Sequence, residues 1–381
     1  MSTKHVMILA GEASGDAHAA EFVEVLRERQ PELRISGMGS NEMKRAGVDV
    51  FFDSSIIAVM GLIEVLRHWG DIKRAMGVVR AQLDATRPDL LVLVDYPEFN
   101  LKMARHAREL GIPVLFYVSP QVWAWRPKRI HKIGRLIDHM AVLFEFEKVY
   151  YEQAGIPVTF VGHPLVGKVK STKPAEQRRA ALDLSPKARV IGLLPGSRRS
   201  EVSRLLPVMF ATAQKMAAQD PALGFVLPVA AALNYEEISA EARASGVDIR
   251  VTREDIYDVI ACCDAVVTCS GTVTLEVALL EVPMCIVYRM SALSYQILRR
   301  LVTIPHIGLV NIVAQKAVVR ELLQADANAD AISQELFKIL DNQDYRAQIQ
   351  AGLRQVRANL GSGNGARNMA DLVLSMLSRS D

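Results

Sequence analysis

Directly behind its first apolar run, His5-Val6-Met7-Ile8-Leu9-Ala10, the chain carries a glycine-bearing turn, Gly11-Glu12-Ala13-Ser14-Gly15-Asp16, and then a helical pattern from Ala17. The arrangement returns midway, where Arg189-Val190-Ile191-Gly192-Leu193-Leu194 runs into Pro195-Gly196-Ser197-Arg198-Arg199. A buried strand, a tight turn and a helix packed back on the strand form the opening unit of a doubly wound α/β sheet. Two copies predict two Rossmann-like domains facing a central cleft, and 381 residues are enough for two cores.

Short β-branched runs continue the pattern. In the first half they are Val6 to Ala10, Leu90 to Val94, Val114 to Val118, Met140 to Phe144 and Val158 to Val161, with helical patterns such as Ala17 to Glu28 and Leu101 to Leu110 between them. A first domain over residues 1–165 follows. The charged stretch Lys168 to Arg179, entered through His163-Pro164, reads as a linker. The alternation restarts with Val190 to Leu194, Gly224 to Pro228, Ile249 to Val251, Ala265 to Cys269 and Met284 to Tyr288, and a mostly helical tail runs from Lys316 to Leu377. Gly361-Ser362-Gly363-Asn364-Gly365 interrupts that tail before a last helix. No short-period repeat argues for a solenoid.

Composition excludes several classes. Half the residues are apolar and 23% charged, as in an ordered α/β protein, and a net charge of +3 is too small to point to nucleic acid. The basic residues do cluster at Arg126, Lys128, Arg129, Lys132 and Arg135, either as a solvated helix face or as a surface for phosphate or anionic lipid. The four cysteines, Cys262, Cys263, Cys269 and Cys285, lack the spacing of a zinc knuckle or a disulfide framework and read as reduced thiols. No secretory h-region and no apolar run near ~20 residues is present, so the expectation is a cytoplasmic protein, at most peripheral to a membrane.

The turns narrow the chemistry. Gly11-x-x-x-Gly15 lacks the G-x-G-x-x-G spacing of a dinucleotide site, and no G-x-x-x-x-G-K-[ST] sequence occurs, so no nicotinamide, flavin or other cofactor is expected. The second half offers two helix starts behind strands, Gly196-Ser197-Arg198 and Ser270-Gly271-Thr272. Free backbone N–H groups there favour a phosphate, and Arg198 can add a charge-assisted contact. Glu276, one helical turn past Thr272, suits ribose hydroxyls. The bland alternative is that Ser270 and Thr272 only cap a helix and Glu276 lies on the surface. Both turns in one domain favour a nucleoside diphosphate. No Asp-x-Asp is present to hold a divalent cation, so no metal is expected, and arginine and helix dipoles must stabilise the leaving group.

The first half supplies acids. Asp95 ends the apolar run Leu90 to Val94, where open α/β sheets place their ligands, and suits a general base with a pKa raised by burial. Glu12 and Asp16 flank the first turn as alternatives, and either can be an ordinary helix-start acid. Glu12 and Ser14 join Asp95 in the candidate catalytic set. His163 reads as a hinge residue rather than a base.

Taken together, Gly11 to Asp16, Val59-Met60-Gly61, Asp95-Tyr96-Pro97-Glu98-Phe99-Asn100, Tyr117-Val118-Ser119-Pro120-Gln121-Val122-Trp123-Ala124-Trp125-Arg126, Leu194 to Arg198 and Ser270-Gly271-Thr272 resemble the bacterial lipid-A-disaccharide synthase family, in the family's order. The resemblance implies a GT-B glycosyltransferase. It would move 2,3-diacylglucosamine from UDP-2,3-diacylglucosamine to 2,3-diacylglucosamine 1-phosphate, giving a β-1,6-linked disaccharide 1-phosphate and UDP with inversion. It implies Asp95 as base, Arg198 as diphosphate contact, and Glu276 with Asn311, in Gly308-Leu309-Val310-Asn311, on the nucleotide side. It implies that residues 345–381 cross back to the first domain, leaving 166–344 as the UDP-sugar domain, and that a homodimer can form by exchange of this region. It also implies a place at the inner face of the inner membrane. Two rivals stay open: a UDP-sugar epimerase on the same scaffold, and a UDP-lipid binding protein without catalysis.

Acylated substrates need an apolar surface. Leu62, Val65, Leu66, Trp69, Ile72, Met76, Val79 and Leu83 recur at helical spacing, either as a core-facing stripe or, with Ile63 and Val78 off the stripe, as a face for acyl chains or membrane. The lipid-facing candidates are Ile63, Val65, Leu66, Trp69 and Ile72, with Trp123 and Trp125 as further members or as core.

Overall fold

Strands that are apolar on both faces need helices on both faces, and the chain supplies them by alternation. The computed structural model describes residues 3–57, 68–125, 127–185, 187–291, 295–296 and 304–378. The chain forms two units, Met1–Pro164 with Leu360–Asp381, and Leu165–Asn359.

The first unit holds β1 (His5–Ala10), β2 (Arg34–Gly39), β3 (Asp49–Asp53), β4 (Leu90–Val94), β5 (Val114–Tyr117), β6 (His139–Val142) and β7 (Val158–Phe160). All seven pair parallel in the order β3-β2-β1-β4-β5-β6-β7. Alternate residues separate two cores. Val6, Ile8, Leu90 and Val92 pack with Phe22, Val23 and Leu26 of the helix Ala13–Arg29, while Met7, Leu9, Leu91 and Leu93 pack with Ile72, Val79 and Leu83 of the helix Trp69–Thr86. The order reverses between β1 and β4, where Ala10 pairs with Val94. A crevice opens at such a switch point, outside the carboxyl ends of the strands.

The last helix, Gly365–Ser378, belongs to this unit. It buries Met369, Val373 and Leu377 in the same core as the helix Ala13–Arg29, each such side chain contributing about 1.5–3 kcal/mol. The return to the first unit comes at Leu360, later than the expected residue 345. The preceding helix, Gln343–Asn359, buries Ile349, Leu353 and Val356 within the second unit, and Arg357 donates to the Leu279 carbonyl at 3.0 Å.

The second unit holds β8 (Val190–Leu194), β9 (Gly224–Pro228), β10 (Ile249–Thr252), β11 (Ala265–Cys269), β12 (Met284–Tyr288) and β13 (Glu321–Leu323), parallel in the order β10-β9-β8-β11-β12-β13. Its switch point lies between β8 and β11, where Leu194 pairs with Thr268. The stretch expected as a linker, Lys168 to Arg179, is instead part of this unit: it runs into a helix over Ala175–Ala181, and the Asp258 carboxylate accepts from Ser171 Oγ at 2.7 Å and from the Thr172 and Lys173 backbone N–H groups at 2.9 and 3.2 Å.

The apolar stripe divides. Ile63, Val65 and Leu66 lie outside the described residues, as does Val59-Met60-Gly61. Ile72 is buried in the core, which corrects its reading as a lipid-facing residue: at helical spacing with Ala75, Val79 and Leu83 it faces the sheet. Trp69 is 45% exposed, and the ammonium groups of Lys73 and Lys102 each stand 5.8 Å from its ring centre. Trp123 is buried and the side chain of Trp125 lies outside the described residues.

Candidate active site

At the carboxyl end of β4 the chain turns through two left-handed residues, Asp95 at φ +49° and Tyr96 at φ +46°, and Val118 behind β5 stands at φ +70°. Such a conformation costs of order 1–3 kcal/mol for a β-branched residue and persists only where neighbours hold it. Here the Asp95 N–H donates to the Tyr117 carbonyl at 2.9 Å, the Val118 N–H to Ala141 at 3.1 Å, and Asn100 Nδ2 to the Asp95 and Val94 carbonyls at 2.7 and 3.2 Å. The strain fixes where the Asp95 carboxyl stands.

The first glycine turn meets this corner. A Cβ on Gly11 would lie 2.2 Å from Cδ1 of Tyr96, so Gly11 is glycine because the Tyr96 ring covers it. Tyr96 is held there by stacking on Phe99 and by donation from its hydroxyl to the Ile57 carbonyl at 3.3 Å. Burial raises the pKa of Asp95 against the opposing Tyr96 N–H. Burial, and after it the Asp95 charge, raises the pKa of Glu12. Ser14 lies exposed in the first turn of the helix Ala13–Arg29. Asp16 turns the other way: its oxygens accept from the Ser40 N–H at 2.6 Å and the Glu42 N–H at 2.9 Å, tying β2 and the following helix to the sheet. The geometry therefore separates the two acids of the turn and leaves Glu12 with Asp95.

Beside Asp95 opens a cavity of about 290 Å³ lined by Asp95, Pro97, Val118, Ser119, Gln121 and Arg129, among others. Its wall rests on a buried polar cluster. Trp123 Nε1 donates to Glu147 Oε1 at 3.0 Å, the Phe144 N–H reaches Glu147 Oε2 at 3.3 Å, and Ser119 Oγ and the Tyr151 hydroxyl share a hydrogen bond of 2.8 Å. Burial raises the Glu147 carboxyl to about 7 despite these donors.

The second switch point carries the other site. Both expected turns line one cavity of about 570 Å³: Gly196, Ser197 and Arg198 on one side, Ser270, Gly271, Thr272 and Glu276 on the other, with Pro228 to Ala231 and Ile256 as a more apolar end. Gly196 stands at φ +107°, and a Cβ there would lie 2.8 Å from Glu201 Oε2 and 3.0 Å from Cys269 Sγ. The helix Arg199–Gln219 begins at Arg198, so its unpaired N–H groups lie at the cavity and favour an anion. The Arg198 side chain is 65% exposed and pairs at 3.1 Å with Glu201, a contact that a phosphate can replace. Burial raises the pKa of Glu276, whose Oε1 lies 3.5 Å from the Tyr257 hydroxyl.

The capping alternative does not describe the hydroxyls. Ser270 Oγ donates to the Ile307 carbonyl at 2.9 Å, and Thr272 makes no side-chain cap. Asn311 does not line the cavity, a correction to its expected place on the nucleotide side. It is fully buried, donating to the Val319 carbonyl and Glu321 Oε1 at 2.8 Å each and accepting from the Val318 and Val319 N–H groups. Glu321 in turn accepts from the Ile307 N–H at 3.0 Å, so Asn311 braces the loop whose carbonyl holds Ser270.

The structure adds Ser119, Glu147 and Glu201 to these surroundings, none of them singled out in the sequence, and places Arg129, of the basic cluster, at the Asp95 cavity. Arg129 stood in a basic run with no mark to set it apart, and Glu201 in a helix-start pattern. Ser119 lay inside a motif quoted whole, and Glu147 sits in a plain helical stretch, Glu145–Gln153, with its burial visible only in three dimensions.

A family model described as lipid-A-disaccharide synthetase matches residues 6–375. Similar proteins include the lipid-A-disaccharide synthases of Geobacter sulfurreducens, 48% identical with 99% of each chain covered, and of Coxiella burnetii strain Dugway, 41% identical with 99% of this chain and all of that one covered. Among solved structures, MurG of Acinetobacter baumannii matches with a TM-score of 0.59 at 16% identity over 98% of this chain and 99% of that one. The calicheamicin glycosyltransferase CalG4 matches with a TM-score of 0.62 at 15% identity, over 100% and 99%. The UDP-GlcNAc 2-epimerase of Neisseria meningitidis gives 0.64 at 12%, over 98% and 100%. These structures establish the two-sheet GT-B fold.

Proposed function

The chain belongs to the lipid-A-disaccharide synthetase family, and from this premise we propose that it is an inverting glycosyltransferase. It joins UDP-2,3-diacylglucosamine to 2,3-diacylglucosamine 1-phosphate, giving the β-1,6-linked disaccharide 1-phosphate and UDP. The observation that carries this reading is whole-length similarity to lipid-A-disaccharide synthases, 48% identity over 99% of the chain. Two separate switch-point cavities, one presenting the Asp95 carboxyl and one suited to an anion at Arg198, support it.

Inversion from an α-linked donor needs one in-line displacement. Asp95 takes the proton of the acceptor 6-hydroxyl as O6 bonds to C1 of the donor, and the C1–O bond breaks with its electrons leaving on UDP. Arg198 and the N-terminus of Arg199–Gln219 stabilise the diphosphate, and Glu276 takes the ribose hydroxyls. Glu12 keeps Asp95 company as a second acid that raises local negative potential, and Ser14 lines the same turn. Asn311 acts at a distance, through Glu321 and Ile307.

No described helix is long and apolar enough to cross a membrane. Exposed Trp69 between Lys73 and Lys102 suits the interface of an anionic bilayer, which supports peripheral contact at the inner face of the inner membrane. A homodimer that exchanges the last helix would reuse the Met369, Val373 and Leu377 contacts.

The test is UDP release from UDP-2,3-diacylglucosamine with and without acceptor. Release that requires the acceptor, one UDP per acceptor consumed, supports the transferase. An epimerase rearranges the donor without needing acceptor, and a binding protein releases nothing; either result sinks the proposal.

A further inference from the structure

Donor and acceptor carry the same 2,3-diacylglucosamine and the same 6-hydroxyl; they differ only at C1, where one bears UDP and the other a phosphate monoester. A transferase of this kind must keep the donor out of the acceptor place, so the acceptor place has to read a compact dianion. We propose that Arg129 is the residue that receives the acceptor's phosphate monoester, in the same cavity as the Asp95 carboxyl. The inference rests on the transferase reading above and deepens it.

Five basic residues crowd this stretch, and the structure sorts them. Lys128, Lys132 and Arg135 are exposed, as a solvated face requires, and Arg126 lies outside the described residues. Arg129 alone of the described four turns inward. Its side chain is 18% exposed, and it is the one basic group among the described residues that line the Asp95 cavity. Tyr151 is buried behind the wall, hydrogen-bonded to Ser119. Gln121 lines the same space and supplies a further polar group for phosphate oxygens, while the Ser119 hydroxyl is committed to Tyr151 and the Pro120 carbonyl.

What now occupies the Arg129 fork is Glu98, with Oε1 at 2.8 Å from Nη2 and a side chain 77% exposed. An exposed carboxylate gains little from such a pair and returns to water at small cost. A phosphate dianion offers the guanidinium two parallel contacts in its place, a geometry that lysine cannot reproduce. Exchange of Glu98 for phosphate frees the carboxylate to water and puts a doubly charged group on the guanidinium, ordering the acceptor beside its base. In the donor the phosphate on C1 is bonded on both sides and carries a single charge, and the uridine and second phosphate behind it exceed a cavity of about 290 Å³.

The experiment compares wild type, Arg129→Gln and Arg129→Lys on two acceptors, 2,3-diacylglucosamine 1-phosphate and the same lipid without phosphate, with UDP affinity measured by calorimetry. The wild type should prefer the phosphorylated acceptor. Arg129→Gln should lower kcat/KM for that acceptor by roughly 10- to 100-fold, leave the unphosphorylated one within about twofold, and leave UDP affinity unchanged. Arg129→Lys should fall between. Glu98→Gln should lower KM for the phosphorylated acceptor alone. Equal losses on both acceptors, or an unchanged preference in Arg129→Gln, overturns the inference while leaving the transferase standing. Wild-type protein that makes no disaccharide from either acceptor removes the transferase reading, and the inference with it.

Discussion

At Asp95, burial raises the carboxyl pKa, and the consequences for rate and for stability run in opposite directions. As the proposed base, the group must be ionised, so activity should fall as pH drops through its raised pKa, an acid limb visible in kcat/KM against pH. Asp95→Asn should lower kcat by about 10²- to 10⁴-fold while UDP affinity, measured by calorimetry, stays as it was. For stability, a folded-state pKa above the unfolded value means that the folded state binds more protons. Stability is then greatest below the unfolded pKa and declines as pH rises through the folded one. Asp95→Asn removes that decline, so its melting temperature should exceed the wild type's at pH 7–8, with the gain vanishing in acid. A variant that melts lower at neutral pH would show that the carboxylate is stabilised by its surroundings. The place of Asp95 at a strand end was legible in the sequence, because an acid behind an apolar run needs only local pattern to be seen. Asp16 and Glu12 could not be told apart there, because what distinguishes them is the pair of N–H groups at Ser40 and Glu42, more than 20 residues away.

Among the elements, the two strand-turn-helix units were legible because their strands are continuous apolar runs. The turns themselves use glycine for different ends. Gly11 makes room for a ring, so Gly11→Ala should drive a methyl into Tyr96 and cost about 1–3 kcal/mol in urea unfolding, with loss of turnover as the Asp95 corner shifts. Gly196 sits at positive φ beside Arg198 and Glu201. Arg198→Ala should weaken UDP binding by about 10- to 100-fold, whereas Glu201→Gln should tighten it by freeing the guanidinium. Calorimetry with UDP reads both, and tightening in Arg198→Ala would remove that arginine from the anion site. Three strands escaped the sequence reading. β2 contains two glycines, β3 is a short edge strand closed by aspartates, and β13 is three residues inside a helical tail. None shows the β-branched run by which the others are recognised. Ile72 escaped for a related reason: periodicity gives a stripe but not what the stripe faces.

For the whole molecule, the two-unit plan followed from the repeat of one motif, and the crossing at His163-Pro164 from a change in composition. The point of return did not, since the helices Gln343–Asn359 and Gly365–Ser378 are both amphipathic and only their partners tell them apart. The same limit applied to the sites: each turn was legible, but that Gly196 and Ser270 line one cavity depends on the β8–β11 pairing. A transferase that relies on arginine and a helix N-terminus at the diphosphate should keep its rate in excess chelator, and strong inhibition reversed by added divalent cation would contradict that arrangement. The most direct measurement is the product itself. Purified protein is incubated with dispersed UDP-2,3-diacylglucosamine and 2,3-diacylglucosamine 1-phosphate, and the lipid is taken to mass spectrometry and to NMR of the new anomeric centre. The account predicts a tetraacyl disaccharide 1-phosphate with a β-1,6 linkage and UDP in equal amount; an α linkage, or no disaccharide from intact substrates, would contradict it.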